Sequence, residues 1–139
     1  MNEHALKEGC YHRKVFICSP FRPRDGTLHE QLEDLHHNQE MARFVCRYAV
    51  SLGYMPLAPH LYFPQFLSDS DVDERGTGIR FGLELLCHCN ELWVIGHRIT
   101  EGMRQEIQVA EELGLPIMLF TLYLASANCP IPRKQWDRM

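Results

Sequence analysis

A three-layer α/β/α fold on a parallel sheet of four or five strands is predicted by three observations. Short apolar runs recur along the chain, at Lys14–Cys18, Tyr54–Ala58, Leu92–Ile95 and Leu115–Phe120. Amphipathic stretches of helical length lie between them, at about 30–52, 72–89 and from Glu101 onward. Strands that read as continuously apolar and alternate with helices mark βαβ units rather than hairpins. Right-handed crossovers then favour the strand order 2-1-3-4(-5). This is the doubly wound, flavodoxin-like or Rossmann-like arrangement. Its crevice opens where the first and third strands diverge, outside their carboxyl ends.

Each element has its own justification. Residues 1–13 are polar and read as a flexible arm before a domain spanning 14–120. Lys14–Cys18 is β-branched and aromatic, as a buried strand is, and Ser19-Pro20-Phe21 stops it. The first helix repeats Leu35, Ala42, Val45, Ala49 and Leu52 on one face, and Gly53 suits its C-terminus. Pro56 within the second strand argues for a sheet edge. Pro59–Phe66 reads as an aromatic loop, suited to stacking on a flat ligand or to a subunit contact. The second long helix turns Ile79, Leu83, Leu86 and Cys87 inward. Gly96 ends the third strand, and Thr100 caps a helix whose stripe is Met103, Glu106, Ala110 and Leu113. Residues 121–139 form a tail, with a short edge strand at Tyr123-Leu124 or a wrap around a neighbour as alternatives.

Composition narrows the function classes. The chain has 139 residues and a net charge of −4, which suits one domain and offers no basic stripe for a nucleic acid polymer or a membrane surface. No apolar run approaches the ~20 residues of a membrane span, and the first residues lack a signal-peptide core, so a cytoplasmic protein is expected. The six cysteines are irregularly spaced and read as free thiols. Cys87-His88-Cys89 lacks a second ligand pair, so neither a metal nor a cofactor is expected.

The chemistry concentrates at the predicted crevice. Glu106 sits on the inner stripe of a helix that starts at the carboxyl edge of the sheet, where the positive helix terminus favours an ionised carboxylate. Such a group can attack a sugar carbon or stabilise a cationic one. The loop Ser19–Thr27 offers Arg22 and Arg24 to a phosphate, with Ser19 and Thr27 as hydrogen-bond partners. Neither a GxGxxG nor a GxxxxGK[ST] run accompanies it, which argues against a Rossmann fingerprint and a P-loop.

Three segments together resemble the nucleoside 2-deoxyribosyltransferase-like superfamily, in particular its small, often phage-associated members. They are Val15-Phe16-Ile17-Cys18-Ser19-Pro20-Phe21, Cys89-Asn90-Glu91-Leu92-Trp93-Val94, and Glu101-Gly102-Met103-Arg104-Gln105-Glu106 followed by Ala110, Gly114 and Pro116. The resemblance implies cleavage or exchange of the N-glycosidic bond of a nucleoside or nucleotide, with Glu106 as nucleophile at C1′. Together with the aromatic Pro59–Phe66 segment, which adds His60 and Tyr62, it gives a candidate substrate-binding set of Ser19, Pro20, Phe21, Arg22, Arg24, Thr27, His60, Tyr62, Gly96, Glu101, Gly102 and Met103. It also implies a homo-oligomer, dimer or higher, whose subunits complete one another's pockets. The acid that such proteins carry on the preceding helix falls here on Gly82, with Glu84 the nearest carboxylate. A non-catalytic nucleotide-binding or sensing module on the same fold is the alternative.

Overall fold

A computed structural model describes residues 12–96 and 98–120, and the backbone of 131–132. The first strand is β1 (Lys14–Cys18), fully buried from Val15 to Cys18. Strands β2 (Met55–Leu57) and β3 (Glu91–Ile95) pair with it on either side, both parallel, and β4 (Ile117–Phe120) continues the parallel sheet beyond β3. The spatial order is β2-β1-β3-β4-β5. The fifth strand, β5 (Ile131–Pro132), joins β4 antiparallel. Tyr123-Leu124, the expected edge strand, lies outside the described residues. Both strand prolines, Pro56 and Pro132, sit on edge strands, where a missing N–H breaks no ladder.

Alternation along the strands sorts the core into two layers. Phe16, Cys18, Leu92 and Val94 pack with Leu86 of α3 (Val72–Leu86) and with Met103, Ile107 and Ala110 of α4 (Glu101–Glu112). Val15, Ile17, Trp93 and Ile95 face the other way, onto Met41, Val45 and Ala49 of α1 (Leu28–Ser51). One helix therefore covers one face and two cover the other, as right-handed crossovers in this strand order require. Trp93 is held at its polar end as well: its Nε1 donates to Glu91 Oε1 at 2.7 Å, and Arg13 pairs with the other carboxylate oxygen at 3.0 Å. That pairing satisfies a carboxylate only 7% exposed.

Side chains set the helix starts. Thr27 and Glu30 form a reciprocal capping box on α1, both bonds 3.2 Å. Asp71 accepts the amides of Asp73 and Glu74 at the head of α3. Thr100 accepts the Met103 amide at 3.2 Å on α4. Gly53, at φ +88°, takes the left-handed turn after α1, which a side chain would strain.

Some predicted core positions move outward. Leu52 and Leu113 are about half exposed because each is the cap residue beyond its helix, and Cys87 is exposed just past the end of α3. Ile107 supplies the apolar turn between Met103 and Ala110 instead. Pro59–Phe66 is not a loop. It forms the short helix α2 (Pro59–Tyr62) and a 3-10 turn at Phe63–Gln65, with prolines at both starts, where a missing N–H costs nothing.

Candidate functional site

The two loops at the switch point diverge from a close contact. Gly96 adopts φ +107°, and a Cβ on it would stand 3.6 Å from Pro20 and 3.7 Å from Met41. Two residues of α1 anchor the first loop by its backbone. Asn38 donates to the Phe21 carbonyl at 3.3 Å, and Asp34 accepts the Arg24 amide at 2.7 Å. Arg98, from the second loop, reaches both Asp34 at 3.5 Å and the Arg22 carbonyl at 3.3 Å. The Arg24 amide, then the nearby guanidinium charges, hold the Asp34 carboxyl below its usual range.

Between these loops and α3 lies a cavity of about 270 Å³. The first loop gives it Ser19, Phe21 and Arg22; α2 and the following turn give Pro59, His60, Phe63 and Pro64. Gly78, Ile79, Gly82 and Leu83 come from one face of α3, and Thr100 to Met103, Gln105 and Glu106 from the start of α4. It is concave and mostly apolar with a few polar groups, the usual character of a small-molecule site.

Glu106 lines this cavity, and its carboxyl is enclosed enough for burial to push the pKa up to about 8. The adjoining Cys18 thiol opposes that shift by hydrogen bonding. The ionised carboxylate expected from the helix terminus is therefore not the resting form at neutral pH. Glu106 is the sixth residue of α4, and the dipole's influence is spent within the first turn. Cys18 is itself pushed well up, first by burial and then by Glu106, and its Sγ lies 3.7 Å from the Met103 carbonyl.

A second polar pair lies beside it. Ser19 Oγ and His60 Nε2 are 2.7 Å apart, and Phe21 meets the imidazole edge-on. Burial pushes the His60 pKa down to about 4, so the ring is neutral near pH 7. At the rim, Arg22 Nε donates to Asp69 Oδ2 at 3.0 Å, linking the first loop to the segment before α3.

Ser19, Phe21, Arg22, His60, Glu101, Gly102 and Met103 thus share a cavity with Glu106. Other expected residues do not. Pro20, Arg24 and Gly96 line a separate pocket of about 50 Å³, and Arg24 is committed to Asp34. Thr27 lies outside both because its hydroxyl caps α1. Tyr62 is 62% exposed and packs on Phe63 and Phe66, which turns it away from the site. Glu84 is exposed and outside the cavity, since two helical residues past Gly82 the side chain has rotated by about 200°. Apart from Gly82, which the resemblance places where an acid is expected, the α3 residues of the cavity were not anticipated from the sequence. Gly78 and Gly82, four residues apart, look like weak points in a helix, yet they open one face of it to the cavity.

A family model described as a domain of unknown function, DUF7768, matches residues 13–120. The chain belongs to the DUF7768 family. Among solved structures, this DUF7768 chain is similar to a 2-deoxyribosyltransferase from the psychrotolerant bacterium Bacillus psychrosaccharolyticus. The identity is 24%, the match covers 78% of this chain and 72% of that one, and the TM-score is 0.55. That likeness establishes a shared α/β fold. No curated protein matches the DUF7768 chain. None of its described helices is long and apolar enough to cross a membrane.

Proposed function

We propose that the protein is a nucleoside or nucleotide N-glycosidase, or a deoxyribosyltransferase, with Glu106 as the nucleophile at C1′ of a (deoxy)ribosyl substrate. The observation that carries this reading is the Glu106 carboxyl at the edge of a concave, largely apolar cavity beside the switch point. Fold likeness to a 2-deoxyribosyltransferase supports the same reading. In the proposed reaction, an ionised Glu106 oxygen attacks C1′ and the base departs. Water or a second base then takes the sugar from the enzyme ester and restores the carboxylate. Phe21 and Phe63, both in the lining, are rings on which a base could stack.

The test is base release from deoxynucleosides, ribonucleosides and their 5′-monophosphates, comparing wild type with Glu106→Gln. Activity in the wild type that falls by a thousandfold or more in the variant is the expected result, as for an essential nucleophile. Equal activity in both removes the assignment. One observation favours a non-catalytic binding module instead: in the empty cavity Glu106 is neutral near pH 7. Calorimetric binding without product after long incubation would establish that alternative. A homo-oligomer that covers the exposed Tyr62 and Phe66 remains part of the proposal, to be measured by sedimentation.

A further inference from the structure

The charge and proton inventory of the cavity narrows the substrate class, taking the glycosidase reading as its premise. Four acidic side chains line the space, Asp69, Glu74, Glu101 and Glu106, the last neutral near pH 7 in the empty cavity, against two guanidiniums, Arg22 and Arg75. Arg22 is already neutralised by Asp69 at 3.0 Å. Glu74 and Glu101 then stand against Arg75, and Glu106 adds a further negative charge when ionised, so the lining leans acidic around the cavity's opening. Two aromatic rings, Phe21 and Phe63, also line it, and ring faces attract cations.

The second observation concerns protons. A neutral base expelled from C1′ leaves as an anion unless an acid protonates it. The α3 face of the cavity presents Gly78, Ile79, Gly82 and Leu83, which carry no transferable proton. His60 is engaged with Ser19 and neutral. Asp69 accepts from Arg22, and Glu74 accepts from the Ser68 amide. Among the described residues lining the cavity, then, the Gly78–Leu83 face offers no acid to a leaving base, Asp69 and Glu74 are engaged as acceptors, and Glu101 is exposed at the start of α4.

We propose that the preferred substrate is an N-glycoside of a positively charged heterocycle, a pyridinium or an N7-alkylated purine, whose base departs as a neutral molecule. The bonds balance without a donor. A Glu106 oxygen forms a bond to C1′, the C1′–N bond breaks, and its electron pair passes to the ring nitrogen and cancels the positive charge. Water then adds to the sugar ester at C1′, the sugar leaves with a new hydroxyl, and one proton goes to solvent as the carboxylate returns. The positive ring also stabilises the ionised form of Glu106 in the complex, which the empty cavity disfavours.

The experiment uses the wild-type protein and matched pairs: 7-methylguanosine beside guanosine, and 7-methyl-2′-deoxyguanosine beside 2′-deoxyguanosine, with nicotinamide riboside as the pyridinium arm. Each kcat/KM is divided by the uncatalysed rate of the same compound, because charged glycosides are intrinsically more labile. The expected result is a rate enhancement for the charged member about a hundredfold above that for its neutral partner, the lower end of what a missing general acid is worth. Gly82→Asp places a carboxyl on the bare α3 face, where a Cβ meets only Pro59 at an ordinary 3.6 Å. It should raise turnover of the neutral members and so narrow the gap between each neutral member and its charged partner. Equal enhancements for both members in the wild type overturn this proposal and leave the glycosidase reading standing. Cleavage of no glycoside, charged or neutral, overturns the glycosidase reading and this proposal with it.

Discussion

At the residue scale, Glu106 carries an energetic cost that should be measurable without any substrate. Its carboxyl is an acid with an ordinary value of 4.5 raised to about 8 by burial. The folded protein thus holds this proton more tightly than the unfolded chain does. At pH 7 the unfavourable burial amounts to something on the order of 3 kcal/mol, at about 1.4 kcal/mol per pKa unit. Replacing it by the neutral isostere in Glu106→Gln is therefore expected to raise the melting temperature at pH 7 by several degrees while abolishing turnover. A structural carboxylate would behave in the opposite way. In the active protein, kcat/KM should climb with pH to a plateau above about 8, since that parameter reports the free enzyme's essential groups. A profile already flat from pH 5 would mean that ionised Glu106 is not required. Ser19 makes a separate prediction. Its hydroxyl, itself buried, partners the half-buried His60 ring, so Ser19→Ala should cost about 1–2 kcal/mol in urea unfolding, the penalty for an orphaned polar group.

At the scale of elements, the cavity exists because α1 and α4 fix two loops. Asp34 and Asn38 are one helical turn apart on α1, and both hold the first loop by backbone atoms. Arg98 ties the second loop to that same pair of elements. Asp34→Ala removes the acceptor for the Arg24 amide and both guanidinium partners at once. A loss of about 1–3 kcal/mol is expected from charge-assisted hydrogen bonds of this kind, read by denaturant midpoint. Thr100→Ala removes the cap of α4, at about 1 kcal/mol, and loosens the turn that presents Gly102 and Met103 to the cavity. For that variant ligand affinity should fall along with stability. An unchanged affinity would show that the α4 start does not touch the ligand.

At the scale of the whole molecule, two partly buried groups give the stability curve a recognisable shape. The contribution linked to Glu106 is full below pH 4.5 and is lost as pH rises to about 8. For His60, lowered from 6.5 to about 4, the contribution is present above 6.5 and is lost as pH falls through that range. The slopes oppose each other in the acidic range, and only the Glu106 slope remains from pH 6.5 to 8. Wild-type stability should decline there by about 2 kcal/mol, and the decline should vanish in Glu106→Gln. Urea unfolding at half-unit pH intervals tests both statements.

The sequence by itself determined the order and type of the main elements, because their signals are local. The Lys14–Cys18 run, the Thr100 cap and the left-handed Gly53 each depend on a few neighbouring residues. Strand order followed from the handedness of crossovers, a constraint that any such chain obeys. It also placed Glu106 on an inward stripe. Only the tertiary structure decided what that stripe faces. The bare Gly78–Gly82 surface, the pairing of Arg22 with Asp69 across 47 positions and the meeting of Ser19 with His60 all join distant segments. The protonation state of Glu106 belongs to the same class. A carboxyl's charge depends on how much water the assembled walls leave it, and no spacing along the chain encodes that.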